Sequence, residues 1–262
     1  MQKLIYVFFL YLGLTSFVWS QELGTTELER GVNFIETKTY SAQEDAEILQ
    51  LYQGLRVADV SDGMDRAGLP GTGLVDPAIH PDWVDLKNLS HQIRGIAITA
   101  RYVPTQRADR PEPEEEFQEW EGNFYNQYSN EDDVENKDIG TIGSYNILAW
   151  HQAGAVGVVT DARSRDTDEI ALEKVPLYLR KKGRGIRPGR NELESVNRPV
   201  VIGGVLVCPG DVVVADGDGV IVVPRNVARQ VAEYAREILN KDKAGRKELY
   251  KSLDMPLDKT VK

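Results

Sequence analysis

The chain holds one cysteine, Cys208, and three histidines, His80, His91 and His151, among 262 residues. A single thiol excludes an internal disulfide framework and a cysteine-rich zinc site. Three scattered imidazoles give no spacing suited to a histidine-bound metal. Positive charge is also short: 31 Lys and Arg stand against 41 Asp and Glu, for a formal charge of −10. Phosphate backbones and anionic membrane surfaces repel such a chain, so no nucleic-acid partner is expected. What is present is enough for a core. Apolar residues make up 41% of the sequence, which excludes global disorder. The length suits one α/β domain with insertions, and no internal repeat is visible.

The first twenty residues differ from the rest. Lys3 precedes an uncharged apolar run from Leu4 to about Leu14, and Val18-Trp19-Ser20 closes it. That layout predicts a secretory signal peptide cleaved before Gln21. An uncleaved membrane anchor is the alternative, since the run is nearly long enough to span. Either way the body is expected in the periplasm or secreted. In an oxidising compartment, the lone Cys208 is expected to be buried. Residues 21–40 read as a leader, and 41–262 as a single domain.

Within that domain, Ser41 and Glu44 form a capping box, so a helix is expected from about Ala42 to Tyr52. A second helix is expected near Ser61, capping Gly63 to Ala67 and stopped by Gly68. Arg94 to Val103 alternates like a strand. Composition then shifts: residues 104–138 carry Pro111, Pro113, two acidic runs and the aromatics Trp120, Phe124, Tyr125 and Tyr128. This stretch reads as an insertion with a solvated acidic surface.

Gly140-Thr-Ile-Gly143 precedes a helical pattern with apolar positions at Tyr145, Leu148 and Ala149, ended by Gly154. Ala155 to Thr160 reads as a buried strand, and Asp161 to Asp166 as the loop at its carboxyl end, where ligands gather in α/β folds. Residues 180–190 carry six basic residues and three glycines, read as a mobile hairpin or loop. Further strands are expected over Pro199–Val207, Asp211–Ala215 and Val220–Val223, with a closing helix from Asn226 to about Leu239. Asp211, Asp216 and Asp218 fall in turns and read as structural. Asp62 reads as a helix cap, with orientation of the site loops as the alternative.

Four blocks resemble the RraA-like family, which also contains the divalent-metal-dependent 4-hydroxy-4-methyl-2-oxoglutarate / 4-carboxy-4-hydroxy-2-oxoadipate aldolases. They are VADVSDGMDRAG from Val57; the Gly140 glycine pair with its helix and GAVGVVTDARSRD up to Asp166; NRPVVIGGVLVCPGDVVVADGDGVIVVP from Asn197; and the helix that follows. The resemblance implies a layered α/β/β/α sandwich of the swivelling phosphohistidine-domain type. It also implies a homotrimer or a hexamer, with sites between subunits.

The same resemblance implies the site. Asp166 would hold Mg²⁺ or Mn²⁺, mostly through water, as hard cations prefer. Arg165 would grip a substrate carboxylate with its guanidinium fork. Gly143 and the backbone N–H groups of Ser144 and Tyr145 would cradle an anion at a helix start. Ser144 departs from the family, whose aldolases usually have an acidic residue there, and Arg163 stands where a small residue is usual. Glu248 is a candidate lent by a neighbouring subunit. Without the family, Asp166 reads as a helix cap and Arg165 as part of a loop ion pair. The implied activity is a carbon–carbon lyase, aldolase or oxaloacetate-decarboxylase-like, acting on a small 2-oxo acid through an enolate. The alternatives are a related lyase on an oxidised sugar and a non-catalytic RraA-like binding or regulatory protein.

Overall fold

The computed structural model describes residues 29–104, 139–187 and 190–262. The signal segment and nearly all of the acidic insertion therefore lie outside the described residues. Residues 29–36 belong to a separate unit, Met1–Glu36, and are mostly exposed. Everything that follows concerns the second unit, Thr37–Lys262.

The unit is mixed α/β. Helix α1 (Ala42–Leu51) starts at the expected box: the Ser41 hydroxyl accepts from the Glu44 N–H, and the Glu44 carboxylate accepts from the Ser41 N–H. Helix α2 (Val57–Arg66) starts four residues earlier than expected. Asp59, not Ser61 or Asp62, satisfies its first turn: the Asp59 carboxylate accepts from the Arg56 N–H and its guanidinium. Ser61 and Asp62 are mid-helix, and Asp62 is exposed, so neither caps.

The expected strand at 94–103 is two strands in different sheets. Strand β2 (Ile93–Ile96) joins β9 (Val212–Asp216), which pairs with β10 (Gly219–Val223), all antiparallel. Strand β3 (Ala100–Pro104) pairs instead with β6 (Asn191–Val196). Strands β7 (Val200–Ile202) and β8 (Val205–Val207) form a hairpin. Its turn, Gly203-Gly204, has positive φ at both positions, which only glycine adopts freely.

Helix α3 (Ser144–Gln152), strand β4 (Val158–Ser164), helix α4 (Thr167–Glu173) and strand β5 (Leu177–Lys182) make the α/β unit. Strand β4 runs parallel to β5, and β5 pairs antiparallel with the short β1 (His80–Pro81). Strand β4 extends four residues beyond its expected end, and β5 takes up the start of the expected basic loop. Helix α3 turns Ile147 and Trp150 inward, while Tyr145 and Leu148 are exposed, so its buried face is rotated from the expected one.

The closing helix α5 runs over Ala228–Ser252, well past the expected end. Its buried positions stop at Leu239, and its second half makes polar contacts with the tail. Arg246 donates to the Thr260 hydroxyl, and the Tyr250 hydroxyl donates to Asp258. Helices α1, α2 and α5 cover one face of the β9–β10 hairpin around Val60, Val214, Ile221 and Val231. Asp216 ties the hairpin to α2 by accepting the Val57 N–H, and Asp211 accepts from the Cys208 and Arg225 N–H groups. Asp216 also accepts the Asp218 N–H within the turn, so these positions are structural, as expected. Cys208 is free and half-buried rather than fully buried, and desolvation pushes its thiol pKa up.

Candidate functional site

The site forms where three backbone segments meet at the carboxyl end of β4. Residues 139–143 run alongside β4 and bridge Ile142 to Ser164. The Arg165 N–H donates to the Ile142 carbonyl at 2.9 Å, and the Thr141 N–H donates to the Arg163 carbonyl at 2.8 Å. The buried Ser164 hydroxyl donates to the Ile142 carbonyl at 3.0 Å. A third segment, Gly183–Gly185, crosses over this end: the Gly183 N–H donates to the Ser164 carbonyl and the Gly140 N–H to the Gly185 carbonyl.

Glycine makes the junction possible. A Cβ on Gly140 would lie 2.5 Å from the Arg165 Cβ, and one on Gly183 would lie 2.6 Å from the Ile139 carbonyl oxygen. A Cβ on Gly143 would lie 2.4 Å from the Asp166 Oδ2. That atom instead accepts the Ser144 N–H at 3.3 Å, from the first residue of α3. A carboxylate here lies at the positive end of the helix dipole.

Asp166 has φ 55° and ψ 36°, in the left-handed region, which Asp tolerates better than most residues. It precedes α4 but makes no side-chain cap to it. The bland expectation of a helix-capping Asp therefore fails: the side chain turns to α3 instead. The Arg165 Nε lies 3.6 Å from the same Oδ2, and the two side chains are 35% and 40% exposed. This is the loop ion pair that the residues alone suggest for Arg165, made with Asp166; among the described residues its guanidinium makes no other ion pair. Gly143, Ser144, Arg165 and Asp166 are thus brought together. The Tyr145 backbone follows them in α3 while its side chain is exposed. Glu248 is not: it pairs with Lys251 on the exposed end of α5, and no contact within the described residues links it to the others.

Sequence reasoning missed two members. Gly183 had a signal, as one of three glycines in a basic stretch, but its partner strand could not be read. Lys182 bonds the Thr167 hydroxyl at 2.9 Å and the Asp82 carboxylate at 2.9 Å, next to Asp166 in the chain. On the neighbouring stretch of β5, Arg180 is held by Asp76 and Asp161, and its pKa is raised chiefly by the bond to Asp76.

A divalent ion would find one carboxylate here. Among the described residues no group of three or more His, Cys, Asp or Glu side chains converges. The Asp166 Oδ1 has no bonding partner among the described residues, and a half-exposed oxygen of this kind fits a water-rich shell. The nearby guanidinium opposes a cation and favours an anionic ligand beside it. The residues fit a hard cation held mainly by water and substrate oxygens, not a protein-only cage.

A cavity of about 510 Å³ lies elsewhere, between α1, β2, the C-terminal end of α3 and the β7–β8 hairpin. Among its lining residues only Asp45 carries a charge. It lacks the convergent polar groups chemistry requires, so the junction is the stronger candidate.

A family model described as RraA-like, aldolase/RraA, matches residues 57–222. Protein DlpA of Legionella pneumophila is 26% identical over 214 residues, covering 76% of this chain and 30% of that protein. A protein of Halalkalibacterium halodurans provisionally named 4-hydroxy-4-methyl-2-oxoglutarate aldolase is 32% identical over 92 residues, covering 35% of this chain and 43% of its own length. The matched region thus spans less than half of either curated relative. Among solved structures, an uncharacterised protein from Pseudomonas syringae pv. tomato has a TM-score of 0.63 at 26% identity, covering 86% of this chain and all of that one. RraAS2 of Streptomyces coelicolor, described as an unusual member of the RNase ES inhibitor RraA family, has a TM-score of 0.63 at 21% identity. It covers 78% of this chain and 98% of its own, a likeness of fold.

Proposed function

This chain belongs to the RraA-like family, and on that premise we propose that it is a divalent-metal-dependent carbon–carbon lyase acting on a 2-oxo acid. The observation that carries the reading is the docking of Asp166 onto the Ser144 N–H beside the half-exposed Arg165 guanidinium, in the space left by Gly143. The provisional aldolase name of one relative supports the choice of reaction.

Arg165 binds the substrate carboxylate, since its planar fork matches two oxygens at once. The backbone at the start of α3 around Tyr145 would add the favourable end of a helix dipole for the same anion. Asp166, itself positioned by the Ser144 N–H, would hold Mg²⁺ or Mn²⁺ through its remaining oxygen and through water. When bound, that ion supplies Lewis acidity at the keto oxygen, drawing off charge as the carbon–carbon bond breaks. Ser144 offers a hydroxyl where the family's aldolases usually place a carboxylate, so it can orient a water but cannot take its proton. Proton transfer then falls to a group outside this cluster, for which Glu248 of an adjoining copy is the candidate.

The same reading carries the finer architecture, the layered sandwich of the swivelling phosphohistidine type, and assembly as a homotrimer or hexamer. It also carries a periplasmic or secreted location, following from the apolar run after Lys3. A location outside the cytoplasm favours catalysis over inhibition of a cytoplasmic ribonuclease.

The test is release of pyruvate or a related oxo acid from 4-hydroxy-2-oxo acids and oxaloacetate, with Mg²⁺, Mn²⁺ or chelator. Release should require the divalent ion and vanish in Asp166→Ala with an unchanged circular dichroism spectrum. Turnover that ignores the ion, or that survives in this variant, overturns the reading.

A further inference from the structure

The Asp166 backbone lies at φ 55° and ψ 36°, in the left-handed region that is sterically unfavourable for any residue with a Cβ. Such a conformation persists only where its surroundings over-determine it. On one side the Arg165 N–H donates to the Ile142 carbonyl at 2.9 Å, and on the other the Ile170 N–H donates to the Asp166 carbonyl at 3.2 Å. The carboxylate accepts from the Ser144 N–H at 3.3 Å, a long bond. Helix α4 begins with no side-chain cap from Asp166, so the usual device for fixing a helix start is not used.

Thr167, the next residue, supplies another fixing point. Its hydroxyl accepts from the Lys182 Nζ at 2.9 Å, and the same Nζ lies 2.9 Å from the Asp82 Oδ1. Both partners of Thr167 are themselves anchored. Lys182 lies opposite Ser164 in the β4–β5 ladder, and the following Gly183 N–H donates to the Ser164 carbonyl at 2.8 Å. Asp82 directly follows β1, and its N–H donates to the Leu177 carbonyl at 2.8 Å. The Lys182 side chain is 60% exposed, and an exposed ion pair contributes little by itself. The Asp82 side chain is 3% exposed, and a buried carboxylate requires its cation, so Asp82 sets where the ammonium sits. Neutralising Asp82 does not require Thr167. The bond to the hydroxyl is what ties the ammonium to the turn that carries Asp166.

We propose that Lys182 is a positioning residue: held by Asp82, it fixes Thr167 and through it the left-handed turn at Asp166, so that the carboxylate stays on the Ser144 N–H. The inference rests on the reading of Asp166 as the metal-holding group and deepens it by naming what keeps that group in place.

Two measurements test it. The first is Mn²⁺ affinity in the presence of pyruvate, and the second is amide hydrogen exchange at Ile170 and Ser144 in the metal-free protein. Two variants break the link without leaving a buried carboxylate unpaired: Thr167→Val, and Lys182→Met combined with Asp82→Asn. Each should weaken Mn²⁺ binding about 10-fold, the scale on which partners of a metal-holding group act, and speed exchange at both amides. Thr167→Ser restores the hydroxyl and should match the wild type in both measurements. All four changes together should do no more harm than either variant alone, because they cut one chain of contacts. Wild-type affinity or wild-type exchange in either variant, or no rescue by serine, overturns the positioning role and leaves the Asp166 reading standing. Mn²⁺ binding that is absent in the wild type, or unchanged in Asp166→Ala, overturns the metal reading instead. Exchange in the metal-free protein then decides the positioning role alone: faster exchange in both variants keeps it, and unchanged exchange overturns it as well.

Discussion

Two regions of this unit are built on opposite rules. Around the β9–β10 hairpin, packing is dense and branched. Val212, Val214, Ile221 and Val223 are fully buried beneath α2 and α5, and Gly63 lets the helices touch, since a Cβ there would lie 2.8 Å from the Val231 carbonyl oxygen. At the end of β4, side chains are withdrawn instead. Gly140 and Gly143 let the Arg165 and Asp166 side chains lie against the backbone, Gly183 brings backbone against backbone, and the polar groups Arg165 and Asp166 stay half-exposed. The first region contributes stability through buried apolar surface. The second gives up that contribution for a cluster of N–H groups, one carboxylate and one guanidinium. Stability and chemistry are therefore expected to separate on mutation.

The largest effect tests that separation from the core side. Ile221→Ala removes a fully buried side chain and should cost about 2–5 kcal/mol of stability, with the activity of the folded fraction unchanged. Chemical denaturation read beside an activity titration checks both halves. The converse case is Gly143→Ala. Its Cβ would displace the Asp166 carboxylate, and kcat/KM should fall about 100-fold, the scale of a misplaced reacting group, with a stability loss of about 1 kcal/mol. Equal loss of both quantities would show that the glycine junction is merely structural. Arg165→Lys keeps the charge and loses the fork, so KM for the oxo acid should rise about 10-fold with the fold intact. Steady-state kinetics measures it.

The smallest effect lies in the acid range. Asp85 accepts from the Asn88 and Lys87 N–H groups and from the Ser90 hydroxyl. The Asn88 N–H, then the Ser90 hydroxyl, hold its carboxyl well below the usual carboxylate range. A pKa lowered by folding means a contribution that is present above about pH 4, the unfolded value, and lost as pH falls through the folded one. Asp85→Asn should lower stability at neutral pH and flatten its decline below pH 4, which thermal melts across that range would record. A steeper decline would contradict the assignment.

What the sequence revealed follows from where the determinants lie. The Ser41–Glu44 box and the Asp216–Gly219 turn are local, and both were legible. The start of α2 was not, because Asp59 acts backwards on Arg56 while Ser61 offers a better-known capping residue that the fold leaves unused. The split of residues 93–104 between two sheets depends on distant partners, Val212–Ala215 and Asn191–Val196, that no local pattern identifies. At the site, the resemblance singled out Gly143, Ser144, Arg165 and Asp166, and the fold brings them together. The direction of the Asp166 side chain was not legible, since its left-handed backbone turns it from α4 towards α3. Gly183 and Lys182 were hidden for the same reason as the strand partners: their roles arise only once β5 lies beside β4.

The central claim is that Asp166 anchors a divalent ion next to Arg165. Titration of Mn²⁺ in the presence of pyruvate, followed by the loss of the free-ion paramagnetic resonance signal, tests it most directly. The account predicts one bound ion per chain in the wild-type protein and none in Asp166→Ala at the same concentrations. Equal binding by both proteins, or no binding by either, would contradict it.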